Sequence, residues 1–332
     1  MGEISTGTLF VLFLILWAEF VNGWTDAPNA IATVVSTRVL SPRVAVLLAV
    51  GFNIIGALSG TAVAATIGKG ILQVDFVTPA TVGAAMVGII VWSTVAWIYG
   101  LPTSESHALV AGLAGAGVAV AGTDILLSEG WRKVGLGLVF STFLGFGVAL
   151  LLMNLIYRVF QKASPGAVRN IFSRLQIVSA AFVAFSHGSN DAQKFMGAFT
   201  LTLVSAGALS HFAVPIWVIL LCASVMGIGT AVGGWRIIRT LGVRITHLEP
   251  VHGFAAEAGA AMVIEAASRV GIPLSTTHTI STAIMGVGST RRLSAVRWGV
   301  AIEIVTAWVL TFPVCAALGW VSAKVFVLLG LH

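Results

Sequence analysis

The sequence predicts an all-α polytopic membrane protein built from two inverted repeats, and three observations carry that prediction. Hydrophobic residues make up 58% of the 332 residues and charged residues only 9%, against about a quarter charged in soluble globular chains. The apolar residues fall into long runs with 37 glycines scattered through them, which suits helices that pack closely or break, whereas a membrane β-barrel needs short alternating strands. Two polar motifs also occur twice, in the same order, once in each half of the chain.

Taken in order, the apolar runs lie at 7–23, 26–40, 43–67, 79–98, 103–121, 134–158, 176–187, 190–209, 214–234, 252–270, 274–288 and 296–330. The first follows Glu3 and not a basic segment, so it reads as a retained span and not a cleaved signal peptide. A full crossing takes about 20 apolar residues. The short segments that begin after Asp26, Thr103, Asp191 and Leu274 are therefore expected to be half-helices or broken helices. The polar stretch 161–174, with Ser164, Pro165 and Gly166, divides residues 1–160 from 175–332 and reads as a cytoplasmic linker. Its neighbourhood holds Arg158, Lys162, Arg169 and Arg174, and a later cluster holds Arg236, Arg239 and Arg244. Short basic clusters between apolar runs are the mark of cytoplasmic loops, so the net charge of +6 reads as topology and not as a nucleic-acid surface. Cys222 and Cys315 each sit alone in an apolar run, without disulfide or zinc spacing.

The halves repeat in two registers. Gly23, Asp26 and Ala27 recur 165 residues later as Gly188, Asp191 and Ala192, and Pro102, Ser104 and His107 recur 171 residues later as Pro273, Ser275 and His278. Duplicated halves with interrupted helices are the pattern of a secondary transporter whose site lies where the repeats meet, near the bilayer midplane. Inversion requires an odd number of crossings per half, so at least one of the six runs in each half is expected to be re-entrant or to fall short.

The first motif is GWTDAPNA at 23–30, with HGSNDAQK at 187–194 as its partner. Each sets an aspartate among amides and hydroxyls: Asn22, Thr25, Asp26 and Asn29 in one, Asn190, Asp191, Gln193 and Lys194 in the other. An ionised carboxylate at membrane depth is unfavourable by about 3 kcal/mol on insertion scales, so it needs a cation, a partner or water. Oxygen donors of this kind suit sodium or a proton, and no clustered histidine or cysteine set suggests a transition metal. The plain alternative is that Asp26 and Asp191 cap the helices that follow.

The second motif is LPTSESHA at 101–108, with IPLSTTHT at 272–279. Proline stops the incoming helix, and Thr103, Ser104 and Ser106, or Ser275, Thr276 and Thr277, fall at the start of the next. A helix start offers free N–H groups and the positive end of the dipole, and hydroxyls add donors without charge. Two such starts facing each other would hold a tetrahedral oxyanion. Capping by these hydroxyls, with His107 and His278 simply buried, is the competing reading.

The runs NGWTDAPNAIATVVSTRVLSP at 22–42, FSHGSNDAQKFMG at 185–197, GFAAEAGAA at 253–261 and GIPLSTTHTISTAIMGVG at 271–288 together resemble the inorganic phosphate transporter (PiT) family. The resemblance spans nearly the whole chain. It implies a cation-coupled phosphate symporter of the cytoplasmic membrane, not an enzyme, that is homodimeric and needs no cofactor beyond co-transported sodium or protons. It also implies that phosphate meets Ser104, Ser106, Ser275, Thr276 and Thr277, and that coupling cations meet Thr25, Asp26, Asn29, Asn190 and Asp191. A sulfate permease of the same fold is the alternative, with an anion channel behind it.

Three residues stand apart. Asn29 falls on Lys194 in the 165 register, so an ammonium stands where a symmetric chain would have a second amide; it replaces one cation or meets phosphate directly, unless it snorkels outwards or pairs with Asp191. Glu105 falls on Thr276 in the 171 register and is a candidate proton or cation carrier, unless it points away. Glu257, within GFAAEAGAA, is a candidate accessory cation ligand.

Overall fold

A computed structural model of the chain describes residues 5–330; residues 1–4 and 331–332, the outer ends of the two expected halves, lie outside the described residues. The structure is helical throughout, with no named β-strand among the described residues. The first half contains α1 (Thr6–Ser36), α2 (Pro42–Ala57), α3 (Ala62–Gly70), α4 (Pro79–Tyr99), α5 (Glu105–Ala121), α6 (Ser128–Val139) and α7 (Gly145–Val159). The second contains α8 (Pro165–Ser205), α9 (Ile216–Val232), α10 (Trp235–Arg239), α11 (Pro250–Arg269), α12 (Thr276–Ser289) and α13 (Trp298–Leu328). A π-helical turn, Phe140–Leu144, joins α6 to α7 as one span, and another, Thr240–Arg244, extends α10.

Five helical stretches are long and apolar enough to cross a membrane, or seven if two bent pairs are each counted as one span. Those pairs, α2 with α3 and α9 with α10, bend by 67° and 63°. They occupy matching places in the two halves, as do α1 and α8, α4 and α11, α5 and α12, and the α6–α7 span and α13. Each half thus has five matching units, among which α5 and α12 are shorter than a full crossing. The equivalent helices α1 and α8 run antiparallel: Thr37 bonds Gln176, Thr33 and Ser179 share Glu257, and Asp26 lies beside His187 and Asp191. The repeats are therefore inverted.

The halves also exchange partners. α1 packs on α9 and α2 on α8, while α4 and α5 pack on α13 and α11 and α12 on α7. Glycine permits the closest of these approaches. A Cβ at Gly23 would lie 2.4 Å from the Met226 carbonyl oxygen, and one at the equivalent Gly188 would lie 2.1 Å from that of Asn53. Two apolar cores result. Along α1 the first core takes residues such as Val11, Ile15 and Ala18 and the second takes Ile31 and Val34; along α8 the order is reversed. Between the cores lies a belt of buried polar residues from both motifs. Large apolar side chains such as Leu47, Phe143 and Ile302 point outwards, as a surface facing lipid requires.

Two sequence expectations are corrected. No helix begins after Asp26 or Asp191: α1 and α8 run continuously through both residues, so the runs on either side form single long helices and neither aspartate is a cap. Local polarity resembles a helix start, but the donors come from elsewhere: Asp26 accepts from Thr277 of the opposite half, and Asp191 from Lys194 and Thr276. Pro28 lies inside α1 and has no N–H to give the Trp24 carbonyl. Gly234, just before α10, approaches that point so closely that a Cβ there would lie 2.7 Å from Pro28 Cγ. The second correction concerns 161–174, where residues 165–174 form the first turns of α8 and only the short segment before Pro165 is non-helical.

Candidate functional site

The half-helices expected after Thr103 and Leu274 are present. The preceding helices end at Tyr99 and Arg269, left-handed Gly100 and Gly271 turn the chain, and from Pro102 and Pro273 it stays non-helical to Ser104 and Ser275, the N-caps of α5 and α12. Each cap accepts from the N–H three residues on, Ser104 from His107 at 3.3 Å and Ser275 from His278 at 3.2 Å. Capping leaves the first-turn N–H groups of Glu105, Ser106, Thr276 and Thr277 without intrahelical acceptors. The two starts meet: the Ser106 hydroxyl donates to the Leu274 carbonyl at 2.8 Å, and the His107 and His278 rings lie edge to face with centroids 4.6 Å apart. Neither histidine reaches the aspartates; His278 stacks on Trp308 and His107 packs against Phe312.

The middle of α1 and α8 borders this junction. Thr277 donates to Asp26 at 3.2 Å and accepts from Asn29 Nδ2 at 2.9 Å. Thr276 donates to Asp191 at 3.1 Å. Thr25 reaches Glu105 at 3.0 Å, and Ser93 of α4 donates to the other oxygen of Glu105 at 2.7 Å. Glu105 is thus buried and held between α1 and α4, and does not point away. The structure brings together Thr25, Asp26, Asn29, Glu105, Ser106, Asp191, Lys194, Thr276 and Thr277, with Ser104 and Ser275 as the caps behind them.

Other candidates fall elsewhere or change role. Asn190 is buried, but its amide donates to Ser268 at 2.8 Å and to the Ile272 carbonyl at 3.4 Å and not to a residue of the Asp26 cluster. Glu257 accepts from Thr33, from Gln176 at 3.1 Å and from Ser179 at 2.5 Å. Thr33 lies about 10 Å along α1 from Asp26, at 1.5 Å per residue, so Glu257 forms a separate, hydrogen-bonded cluster. Lys194 is buried rather than snorkelling. Its ammonium bonds Asp191 Oδ1, Ser106 Oγ and the Leu274 carbonyl oxygen, which engages all three of its N–H groups.

One histidine that the sequence reading did not place in the site lies beside the acids. His187 lies 3.4 Å from Asp191, and ligand atoms of Asp26, His187 and Asp191 all fall within 4.8 Å of one another. The 165 register pairs His187 with Asn22, and the spacing of His187 from Asp191, one helical turn, was the available signal. Asn53, which bonds His187 at 3.1 Å, and Ser93 carried no sequence signal, because tertiary packing alone brings them in. Glu19 did carry one, as an acid inside the first apolar run; it is fully buried with neither carboxylate oxygen hydrogen-bonded to a nitrogen or oxygen partner. Asn29 Oδ1 is likewise without a donor.

This arrangement offers an oxyanion two helix starts with hydroxyls, and offers a hard cation carboxylate, amide and hydroxyl oxygens.

The chain matches the phosphate transporter family over residues 22–319. It is 48% identical over 303 residues to a probable low-affinity inorganic phosphate transporter of Rhizobium meliloti (strain 1021), covering 91% of either chain. A protein of the same description from Bacillus subtilis (strain 168) is 39% identical over 323 residues, covering 95% of this chain and 96% of that one. A solved structure, "The sodium-dependent phosphate transporter", matches with a TM-score of 0.90 at 25% identity, covering 98% of this chain and all of that one.

Proposed function

Since the chain belongs to the phosphate transporter family, we propose that it carries inorganic phosphate together with sodium or a proton across the cytoplasmic membrane, by alternating access around the junction of α5 and α12. It is a multi-pass membrane transporter and not an enzyme. One observation carries the mechanistic reading: two helix starts meet, and Thr276 and Thr277 at one of them are bonded to Asp191 and Asp26 of the two crossing helices.

In this reading the free first-turn N–H groups of Ser106, Thr276 and Thr277 receive the phosphate oxygens, their hydroxyls turn to phosphate only on leaving Leu274, Asp191 and Asp26, and Ser104 and Ser275 shape the two starts. Asp26 and Asn29 ligate a coupling cation, with Thr25 and Glu105 beside them. The aspartates and a divalent phosphate sum to minus four, and Lys194 offsets one charge. Anion and cation then each favour the other's binding, which is the thermodynamic content of symport. Because Thr276 and Thr277 hold the aspartates directly, a bound cation and a bound phosphate act on the same hydroxyls. Phosphate is preferred to sulfate because it carries an O–H at neutral pH that a carboxylate such as Asp26 or Glu105 accepts.

The orientation follows from charge. A cavity of about 580 Å³ at the linker end is lined by Arg38, Arg169 and Arg291, and an excess of basic residues marks the cytoplasmic side. The homodimer carried over from the resemblance is part of the same proposal; cross-linking in native membranes tests it.

The deciding experiment is phosphate uptake into proteoliposomes under imposed sodium or proton gradients, with sulfate as competitor. Accumulation against the phosphate gradient, driven by one cation gradient and resistant to sulfate, is the expected result. Uptake that only equilibrates would indicate a channel, and equal inhibition by sulfate would remove the substrate assignment.

A further inference from the structure

Lys194 has no share in the chemistry above except as a counter-charge, yet it is among the largest fully buried side chains. Its ammonium meets three kinds of oxygen: carboxylate from Asp191 at 2.5 Å, hydroxyl from Ser106, and carbonyl from Leu274 at 3.0 Å. All are neutral or anionic oxygens, and unwound carbonyls beside half-helices are the groups that hold alkali cations in transporters of inverted-repeat design.

The other half contains a corresponding constellation in which Asn29 stands in place of Lys194; around it, Glu105 stands where the second half has Thr276, and Asn22 where it has His187. In the 165 register Asp191 corresponds to Asp26 and Lys194 to Asn29; in the 171 register Ser106 corresponds to Thr277 and Leu274 to Thr103. Asp26 and Thr277 are bonded as the correspondence requires. Asn29 reaches Thr277 as Lys194 reaches Ser106. In place of a fixed charge, however, that site has an amide whose oxygen has no donor. One half of the related pair thus contains its own cation, and the other does not.

We propose that the Lys194 ammonium is a tethered stand-in for one of two coupling cations: it fills the second half's site permanently, so only the first half's site, at Asp26 and Asn29, loads a cation from solution. This rests on the symport reading and adds its stoichiometry. A buried ion pair broken on one side leaves an uncompensated charge, so removing the ammonium obliges Asp191 to recruit a replacement.

The test is Lys194→Asn, which gives both halves the same amide. In proteoliposomes the charge moved per phosphate, read from the membrane potential that nulls net uptake, is expected to rise by about one elementary charge over the native protein. In detergent, thermal unfolding of Lys194→Asn is expected to show a saturable stabilisation by sodium chloride, relative to choline chloride, larger than that of the native protein. The double variant Asp191→Asn/Lys194→Met removes both charges and is expected to lose that additional response. An unchanged charge ratio in an active Lys194→Asn protein overturns the proposal. So does a Lys194→Asn protein whose thermal midpoint responds to sodium no more than the native one, or a double variant that keeps the added response. The thermal arm needs no transported phosphate, so it reads the stand-in separately from the choice of substrate.

Discussion

Thr277, in the first turn of α12, donates to the Asp26 carboxylate of α1 at 3.2 Å, so a half-helix start in one repeat is held by an acid in the middle of a spanning helix of the other. Asn29, one turn further along α1, donates to the same hydroxyl. A single side chain thereby joins the candidate anion and cation positions, and movement of α12 relative to α1 breaks both contacts together.

Thr277→Val keeps the shape and removes the hydroxyl. Loss of a hydrogen bond to a buried charged group costs about 1–3 kcal/mol, or about 5-fold to 150-fold in affinity at 1.4 kcal/mol per factor of ten. Half-saturating concentrations of phosphate and of the coupling cation should both rise, while Thr277→Ser should stay near the native values. Uptake kinetics of the two variants check this, and a Val variant with native constants would remove the link.

Glu105 is held by Thr25 at 3.0 Å and Ser93 at 2.7 Å, contacts that an amide of the same shape largely retains. Glu105→Gln is expected to fold and to transport with a flatter pH profile than the native protein. A profile as steep as the native one, measured by uptake between acidic and neutral pH, would exclude Glu105 as a proton carrier.

Gly23 and Gly188 seat the swapped helices backbone to backbone. Alanine at either position overpacks a contact in which neither side is a flexible side chain, with an expected loss of about 1–3 kcal/mol each. Gly299, where an added Cβ would meet nothing within 4 Å, should accept alanine without loss. Thermal unfolding in detergent compares the three.

Arg38 has φ of 60°, a left-handed conformation that favours glycine, and it lines the basic cavity at the linker end. Arg38→Gly should raise stability by about 0.5–1 kcal/mol while slowing phosphate exchange from that face. The slowing should fade as salt is added, because steering by exposed charge is screened. Equal rates for variant and native protein at low ionic strength would count against the steering role.

Glu249 and Arg291 lie outside the spanning segments and pair at 2.7 Å. The hydrogen bond from Arg291 holds the Glu249 carboxyl below its usual range, against a smaller opposing effect of partial burial. A depressed folded value stabilises the fold above the unfolded carboxyl value, about 4.3, and that stabilisation is lost as pH falls through the folded value. The pair is half-exposed, so Glu249→Gln should change stability by at most about 1 kcal/mol near pH 7 and should lose less stability than the native protein on acidification below pH 4. Unfolding midpoints across that range decide the sign.

Much of the site was legible because its signals are local. The Pro-Ser/Thr turns announce helix starts through the fixed geometry of proline and the short reach of a capping hydroxyl, and Ser104 and Ser275 take the capping role that competed with phosphate contact in the reading of that motif. The motif around Asp26 misled for the same reason. An aspartate among amides looks like a helix start when only its chain neighbours are visible, but Thr277, some 250 positions away, is what satisfies it. Asn53 and Ser93 had no local signal at all.

Sequence alone determined the membrane class, the duplication and the residue types gathered at the centre, because hydropathy, register and capping depend on neighbours along the chain. Tertiary structure decided that α1 and α8 pass unbroken through their aspartates, that Glu257 stands apart from them, and that Lys194 closes on Asp191, Ser106 and Leu274. A buried charge is stabilised by oppositely charged or polar groups around it, and beyond the local Asp191 partner of Lys194 those groups come from other helices, at separations no local pattern encodes.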